Sequence, residues 1–135
     1  MKRIIALTVM LVLPAAPVQA EDSRMPVELN GEQKAFVLGH MRDMLETLTD
    51  TQQLLLEGDR DAIRERITQL QSHEQAARPR GMGQQIPPAF RAMAQSMRPH
   101  WQAIQDDSLP VEAVQQHVVD LMRVCNACHR TFAIR

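Results

Sequence analysis

The stretch VEAVQQHVVDLMRVCNACHRTF covers residues 111–132, close to the end of the 135-residue sequence. Its apolar side chains recur every three or four positions, which is the period of an amphipathic α-helix. The residues on this face are Val111, Val114, Val118, Leu121, Cys125, Cys128 and Phe132. Both cysteines of the sequence therefore lie on the apolar face of a predicted helix, and we expect this face to point to the protein interior.

Cys125, Cys128 and His129 form the pattern C-x-x-C-H. Residues three and four apart share one side of a helix, so the two thiols and the imidazole lie together within little more than one turn. Two thiols at this spacing can add to the two vinyl groups of a porphyrin while the imidazole reaches the iron, and the pattern is the attachment signature of haem c. The sequence thus predicts one covalent haem c, with thioether bonds to Cys125 and Cys128 and with His129 as an axial iron ligand.

Other uses of this motif stay open from the sequence. A thiol redox pair is usual in a βαβ setting, for which the sequence has no strand pattern, and a structural zinc site needs one or two further ligands. A disulfide between residues three apart closes a very small loop and adds little stability. Haem attachment is the preferred interpretation because the two cysteines and the histidine occur together with a predicted export signal.

Residues 1–20 have the layout of a secretory signal peptide. Two basic residues precede the apolar run of residues 4–13, and small residues lead to a cleavage position after residue 20. The run is shorter than the ~20 apolar residues that span a bilayer. We predict a protein that is exported to the periplasm without stable membrane insertion and whose single mature domain comprises residues 21–135.

The predicted mature chain carries little net charge, because removal of residues 1–20 leaves 13 basic against 16 acidic side chains. This balance does not favour nucleic acid, whose phosphates attract clustered positive charge. Residues 21–74 hold 12 acidic and 6 basic side chains, whereas residues 75–135 hold 4 and 7. The asymmetry predicts two faces of opposite sign, with chance variation between solvated helices as the alternative.

The first two predicted helices have clear boundary signals. Asn30 and Gln33 make a capping box at the start of the first helix, and Gly58 marks its end. Asp59 then caps the second helix. The predicted apolar positions are Leu38, Met41, Leu45, Leu48 and Leu55 in the first helix and Ile63, Ile67 and Leu70 in the second.

The segment from Ala77 to Pro88 contains three prolines and two glycines, so we predict a long loop there. A third helix begins near Pro88, and Pro99 should kink or end it because proline lacks a backbone donor. The apolar stripe of this helix is Phe90, Met93, Met97, Trp101 and Ile104. With the helix over residues 111–132 and no strand pattern, the sequence predicts an all-α fold, an antiparallel four-helix bundle with covalently attached haem c.

A C-x-x-C-H motif on the last helix of a four-helix bundle resembles the class II cytochromes c, the cytochrome c′ family. The resemblance covers the mature chain in helix order and length, and CNACHRTF is its specific motif. It implies thioethers at Cys125 and Cys128 and proximal ligation by His129, with Arg130 and Phe132 at the usual polar and aromatic positions. The long loop and Pro99 depart from the family pattern.

The resemblance also implies that the first helix covers the opposite haem face, with an apolar residue in high-spin members and a methionine in low-spin members. The segment VLGHMRDMLETL, residues 37–48, offers two methionines. The register of the family pattern favours Met41 as the distal iron ligand, and Met44 is the alternative. Both methionines can instead be core residues, as flexible thioethers often are.

The predicted function is therefore one-electron transfer, with unidentified redox proteins as partners and no enzymatic activity, because no acid, base or nucleophile is arranged for catalysis. If no methionine binds the iron, the alternative is a five-coordinate protein that binds NO or CO. The resemblance also allows a homodimer through the first two helices.

The remaining charged candidates are weaker. His40, His73 and His117 are predicted to be ordinary surface histidines, with distal iron ligation as the minor alternative for His40. His100 is predicted to be partly buried, either as a structural residue or near the haem edge. Four arginines can pair with haem propionates or with an acidic partner, although solvated side chains are the simpler interpretation. They are Arg78, Arg80, Arg91 and Arg98.

Overall fold

The computed structural model describes residues 22–135. The predicted signal peptide, residues 1–20, lies outside the described residues. The described chain is mostly helical, and its elements are β1 (Met25–Val27), α1 (Gly31–Glu57), α2 (Arg60–Ala77), α3 (Met82–Gln85), α4 (Pro88–Ser96), α5 (Arg98–Ile104), α6 (Val111–Thr131) and β2 (Phe132–Ile134). None of the helices within residues 22–135 has the length and apolar character to cross a bilayer.

The boundaries of α1 and α2 follow their capping residues, as predicted. The Gln33 backbone amide donates to the Asn30 side chain at 2.9 Å, and the Asn30 amide donates to the Gln33 side chain at 3.1 Å. Gly58 ends α1 in the left-handed conformation at a φ of 76°, which a residue without a Cβ adopts at no steric cost. Asp59 then accepts a 2.9 Å bond from the Ala62 amide and starts α2.

The segment predicted as one long loop contains the short helix α3, so that prediction was partly wrong. Gly81, at a φ of 74°, precedes α3 in the left-handed conformation, and the side chain of Met82, the first residue of α3, is buried. A Pro- and Gly-rich composition excludes a long helix but not a single turn. The break at Pro99 is confirmed: α4 ends at Ser96, and α5 begins two residues later with Pro99 in its first turn.

The main core combines apolar side chains from α1, α2, α5 and α6. Its buried members are Leu48, Leu55, Ile63, Ile67, Leu70, Trp101, Ile104, Val114, Val118 and Leu121. Leu45 was predicted to belong to it, but its side chain is 65% exposed, because the neighbouring Met44 takes the inward position one turn before Leu48. Val111, the first residue of α6, is also exposed rather than buried.

A two-stranded parallel sheet joins the two ends of the described chain. Met25 pairs with Phe132 and Val27 with Ile134. No strand was predicted, and Phe132 was placed on the apolar helix face, yet it is the first residue of β2. Three-residue strands are too short to show an alternating pattern, and their pairing depends on residues far apart in sequence.

Candidate functional site

The C-x-x-C-H motif lies in the last two turns of α6. Cys125 and Cys128 are free thiols, both half-buried, and the His129 side chain is exposed. Burial raises the pKa of both thiols, and for Cys128 the nearby Cys125 adds to the effect. A reactive dithiol needs a lowered pKa to hold the thiolate, so these surroundings disfavour redox exchange at this pair.

A second, smaller group of apolar side chains lies beside the motif, and we call it the terminal cluster. Its members are the buried Val27, Phe90 and Phe132 and the partly buried Leu29, Met41, Ile86, Met93, Cys128 and Ile134. Phe90 and Phe132 meet edge to face with their ring centroids 5.3 Å apart, a favourable aromatic geometry. The terminal cluster thus gathers residues of α1, α4, α6 and both strands.

The structure separates the two methionines that the sequence offered as distal ligands. Met41 packs in the terminal cluster together with Cys128, whereas Met44 packs against the main core. Because the two residues point to different clusters, only Met41 shares apolar surroundings with a cysteine of the motif.

The end of α6 is held by charged residues at both ends of the described chain. The Arg24 guanidinium donates to the backbone oxygen of His129 at 3.1 Å and to that of Phe132 at 3.5 Å. Asp22 accepts from Arg24 at 2.8 Å and from Arg135 at 3.2 Å. We call Asp22, Arg24 and Arg135 the terminal clamp; it gives partners to carbonyls that a helix end otherwise leaves unpaired.

The hydrogen bonds of the terminal clamp lower the pKa of Asp22. Hydrogen bonds from the Arg24 side chain, and then from the Arg24 backbone amide, lower the pKa of Asp22 from 3.8 to about 2. Nothing in the sequence pointed to this group, because its members are separated by almost the whole chain.

His40 was predicted to be a surface residue, but its side chain is only 20% exposed. Its ring stacks on Phe36 with centroids 6.1 Å apart, and Nε2 lies 3.8 Å from a carboxylate oxygen of Glu74, which approaches from α2. Desolvation lowers the pKa of His40, against the opposing effect of Glu74 and Asp43. His73 is exposed as predicted, with Nδ1 3.0 Å from a carboxylate oxygen of Asp43.

His117 was also predicted to be an ordinary surface histidine, and this was wrong. Its ring is half-buried against the partly buried His100 of α5, and the two Nδ1 atoms lie 3.1 Å apart. The helical pattern of α6 places His117 beside the apolar face, but it cannot reveal which residue of another helix lies opposite.

Two of the four candidate arginines are engaged within the chain. Arg78 forms an ion pair with Glu74, four residues earlier. Arg91 donates to the backbone oxygens of Gly83 and Ile86, and it thereby ties the start of α4 to α3.

We compared the chain with protein-family models, with curated proteins and with solved structures, and none of the three comparisons found a match. The chemistry of the chain's own residues therefore carries the functional argument.

Proposed function

We propose that the protein is a periplasmic c-type cytochrome that carries single electrons through one covalent haem c. The observation that carries the proposal is the C-x-x-C-H motif of Cys125, Cys128 and His129 at the end of α6. The same residues underlie the resemblance to the class II cytochromes c. Residues 1–20 are proposed to direct export.

We propose a four-helix bundle as the arrangement of the helices. Contacts run between α1 and α2, between α5 and α6, between α1 and α6 and between α2 and α5. These contacts support a closed arrangement of four helices around the main core. The connection from α1 to α2 is short, which favours antiparallel neighbours. In this arrangement α4 and α5 are the two halves of one helix that is broken near Pro99.

The residues around the motif suit a large apolar cofactor. Both thiols are half-buried on one helix face, and burial raises the pKa of each. Phe90, Phe132 and Met93 of the terminal cluster add apolar surface next to Cys128. His129 is the next residue after Cys128, and its imidazole is exposed. Arg24 donates to the backbone oxygen of His129 and not to its ring.

Each of these residues has a defined role in the proposal. Cys125 and Cys128 would hold the haem through thioether bonds, His129 would provide an imidazole nitrogen to the iron, and Met41 would provide a thioether from α1. Bound haem c supplies the Fe(III)/Fe(II) couple, which exchanges one electron at a time. A soft thioether ligand raises the reduction potential, and the apolar side chains of the terminal cluster limit the access of water.

The choice of Met41 over Met44 follows from their surroundings. Met41 shares the terminal cluster with Cys128, so a thioether from this position approaches the group that the cysteines hold. The side chain of Met44 packs against the main core instead. If both His129 and Met41 bound the iron, no ligand position would remain for a diatomic molecule, and electron transfer would be the function.

Visible absorption tests the proposal on protein produced together with a haem c maturation system. We compare ferric and ferrous protein, with and without CO, for the wild type, Met41→Ala and the matched control Met44→Ala. A mass increased by one haem, after denaturation, establishes covalent attachment. The expected result is a low-spin wild type with the weak long-wavelength methionine-to-iron band and no response to CO, a high-spin Met41→Ala, and a low-spin Met44→Ala.

Other outcomes lead to different functions. A high-spin wild type whose ferrous form takes up CO excludes Met41 as a ligand and makes gas binding the leading function. Failure of haem to attach, under conditions that mature other c-type cytochromes, overturns the proposal and leaves zinc or dithiol chemistry at Cys125 and Cys128.

A further inference from the structure

A second group of ligand-bearing side chains lies away from the C-x-x-C-H motif, at the contact between α5 and α6. His100 comes from α5, and His117 and Asp120 come from α6, where a spacing of three residues places them on the same side. All three side chains are half-buried, and one ligand atom of each lies within 4.8 Å of the others.

We propose that His100, His117 and Asp120 bind a divalent transition-metal ion of the zinc class. The proposal is independent of the haem site, because it uses none of the residues assigned there. Cys125 follows His117 by eight residues, which corresponds to about 12 Å along the axis of α6, so the two sites do not share ligands.

The spacing of the two imidazoles fits one shared metal ion. Their Nδ1 atoms lie 3.1 Å apart. With zinc–nitrogen bonds of about 2.0–2.1 Å, this separation corresponds to a nitrogen–metal–nitrogen angle of roughly 100°, close to the tetrahedral value. The separation of the two nitrogens is therefore compatible with one shared metal ion.

Asp120 supplies the negative charge that a divalent ion requires. Arg123 donates to its Oδ1 at 2.7 Å and Gln116 donates to the same atom at 3.1 Å. An aspartate side chain is ordinarily ionised near neutral pH, so it offers a negative charge to a cation. Because both donors use Oδ1, we assign Oδ2 as the ligand atom.

The donor set selects the class of metal. Two imidazole nitrogens and one carboxylate oxygen suit zinc, copper or nickel, whereas magnesium and calcium prefer sites made of oxygen alone. Three protein ligands leave a fourth position for water or another small ligand. A bound ion would also link α5 to α6, next to the Pro99 break that separates α5 from α4.

The simpler explanation of the 3.1 Å contact is a hydrogen bond between two neutral imidazoles, one of which donates while the other accepts. The two explanations predict different metal affinities for a variant in which a side-chain amide replaces one of the two imidazoles. His100→Gln retains a donor and an acceptor near His117 but removes a strong metal ligand.

Calorimetric titration of the holoprotein with zinc chloride tests the site. We expect one saturable site in the wild type, affinity lower by about a hundredfold in His100→Gln and His117→Ala, and a smaller loss in Asp120→Asn. His73→Ala is the matched control, because His73 also lies beside a carboxylate, that of Asp43. Its affinity and stoichiometry should equal those of the wild type.

Wild-type affinity in His100→Gln would overturn the proposal, and so would the lack of saturable binding by the wild type. Circular dichroism identifies any variant that fails to fold. In that case X-ray absorption of zinc on the wild-type protein decides the matter: two imidazole nitrogens in the first coordination shell support the site, and sulfur or oxygen ligands alone exclude it.

Discussion

Arg24 donates a hydrogen bond from Nη1 to the backbone oxygen of His129 at 3.1 Å, across a separation of 105 residues. The last carbonyls of an α-helix have no partner within the helix, so this donor stabilises the end of α6 at the residue that carries the imidazole of the motif. Arg24, which directly precedes β1, therefore stabilises the backbone of the proposed haem ligand His129.

Arg24→Ala should loosen the pairing of β1 with β2 while α1 and α2 stay unchanged. The variant removes the donor to the backbone oxygens of His129 and Phe132 and one partner of Asp22. Amide hydrogen exchange measures the effect, with faster exchange expected in residues 25–27 and 132–134. Arg66→Ala, which removes an ion pair with Asp50, is the control and should leave the strands protected. Equal protection of the strands in Arg24→Ala and the wild type would contradict a stabilising role for the clamp.

The terminal clamp should weaken on acidification. The folded-state pKa of Asp22 is about 2, below its ordinary value of 3.8. The folded protein therefore favours the ionised carboxylate, and its stabilising effect is complete above about pH 4 and is lost as the pH falls towards 2. Strand protection, followed by hydrogen exchange against pH, should drop through this interval in the wild type.

Asp22→Asn provides the comparison for the acid effect. In this variant, strand protection should already be reduced at neutral pH. Between pH 4 and 2, the strands of the variant should lose no more protection than other segments of the wild type lose. Glu65→Gln, on an exposed position of α2, is the matched removal of a carboxylate and should follow the wild type. A pH profile of Asp22→Asn that matches the wild type would assign the acid effect to other groups.

Asn30→Ala should lower the free energy of unfolding by about 1 kcal/mol, the usual effect of losing an N-cap side chain. Asn30 and Gln33 exchange two hydrogen bonds at the start of α1, and the substitution removes the one from the Gln33 amide. Urea unfolding measures the change. Gln71→Ala, at an exposed interior position of α2, is the control and should stay within about 0.5 kcal/mol of the wild type.

Ile104→Ala should be among the most destabilising single changes, with a loss of roughly 2–5 kcal/mol in the free energy of unfolding. Its side chain is fully buried in the main core at the end of α5. Leu56→Ala is the control, since the Leu56 side chain is 81% exposed. Comparable losses in the two variants would show that the main core is not packed as described.

Local signals explain why the helix limits could be predicted. The Asn30 cap, Gly58, Asp59 and the break at Pro99 act within one turn, so the residues that decide each boundary are neighbours in sequence. The buried face of α2 was predicted for the same reason, because apolar positions spaced by three and four leave a single inward side.

The remaining features depend on residues that meet only in the folded chain. The pairing of β1 with β2, the burial of His40 beneath Glu74 and the contact of His100 with His117 each join separate elements. A helical period gives the face on which a residue lies, but it does not identify the opposing residue. The C-x-x-C-H motif could be recognised from the sequence because its three residues are neighbours on one helix.

The parallel pairing of β1 with β2 has a consequence for the order of events during folding. It closes a loop that contains nearly the whole described chain, and the entropic cost of closure is met only after the intervening helices have packed. Strand pairing is therefore expected to be a late step in folding. Until then Cys128 lacks the packing of the terminal cluster, in which Val27 and Phe132 belong to the two strands. Under the proposed function, this interval would allow haem attachment before the terminal cluster closes.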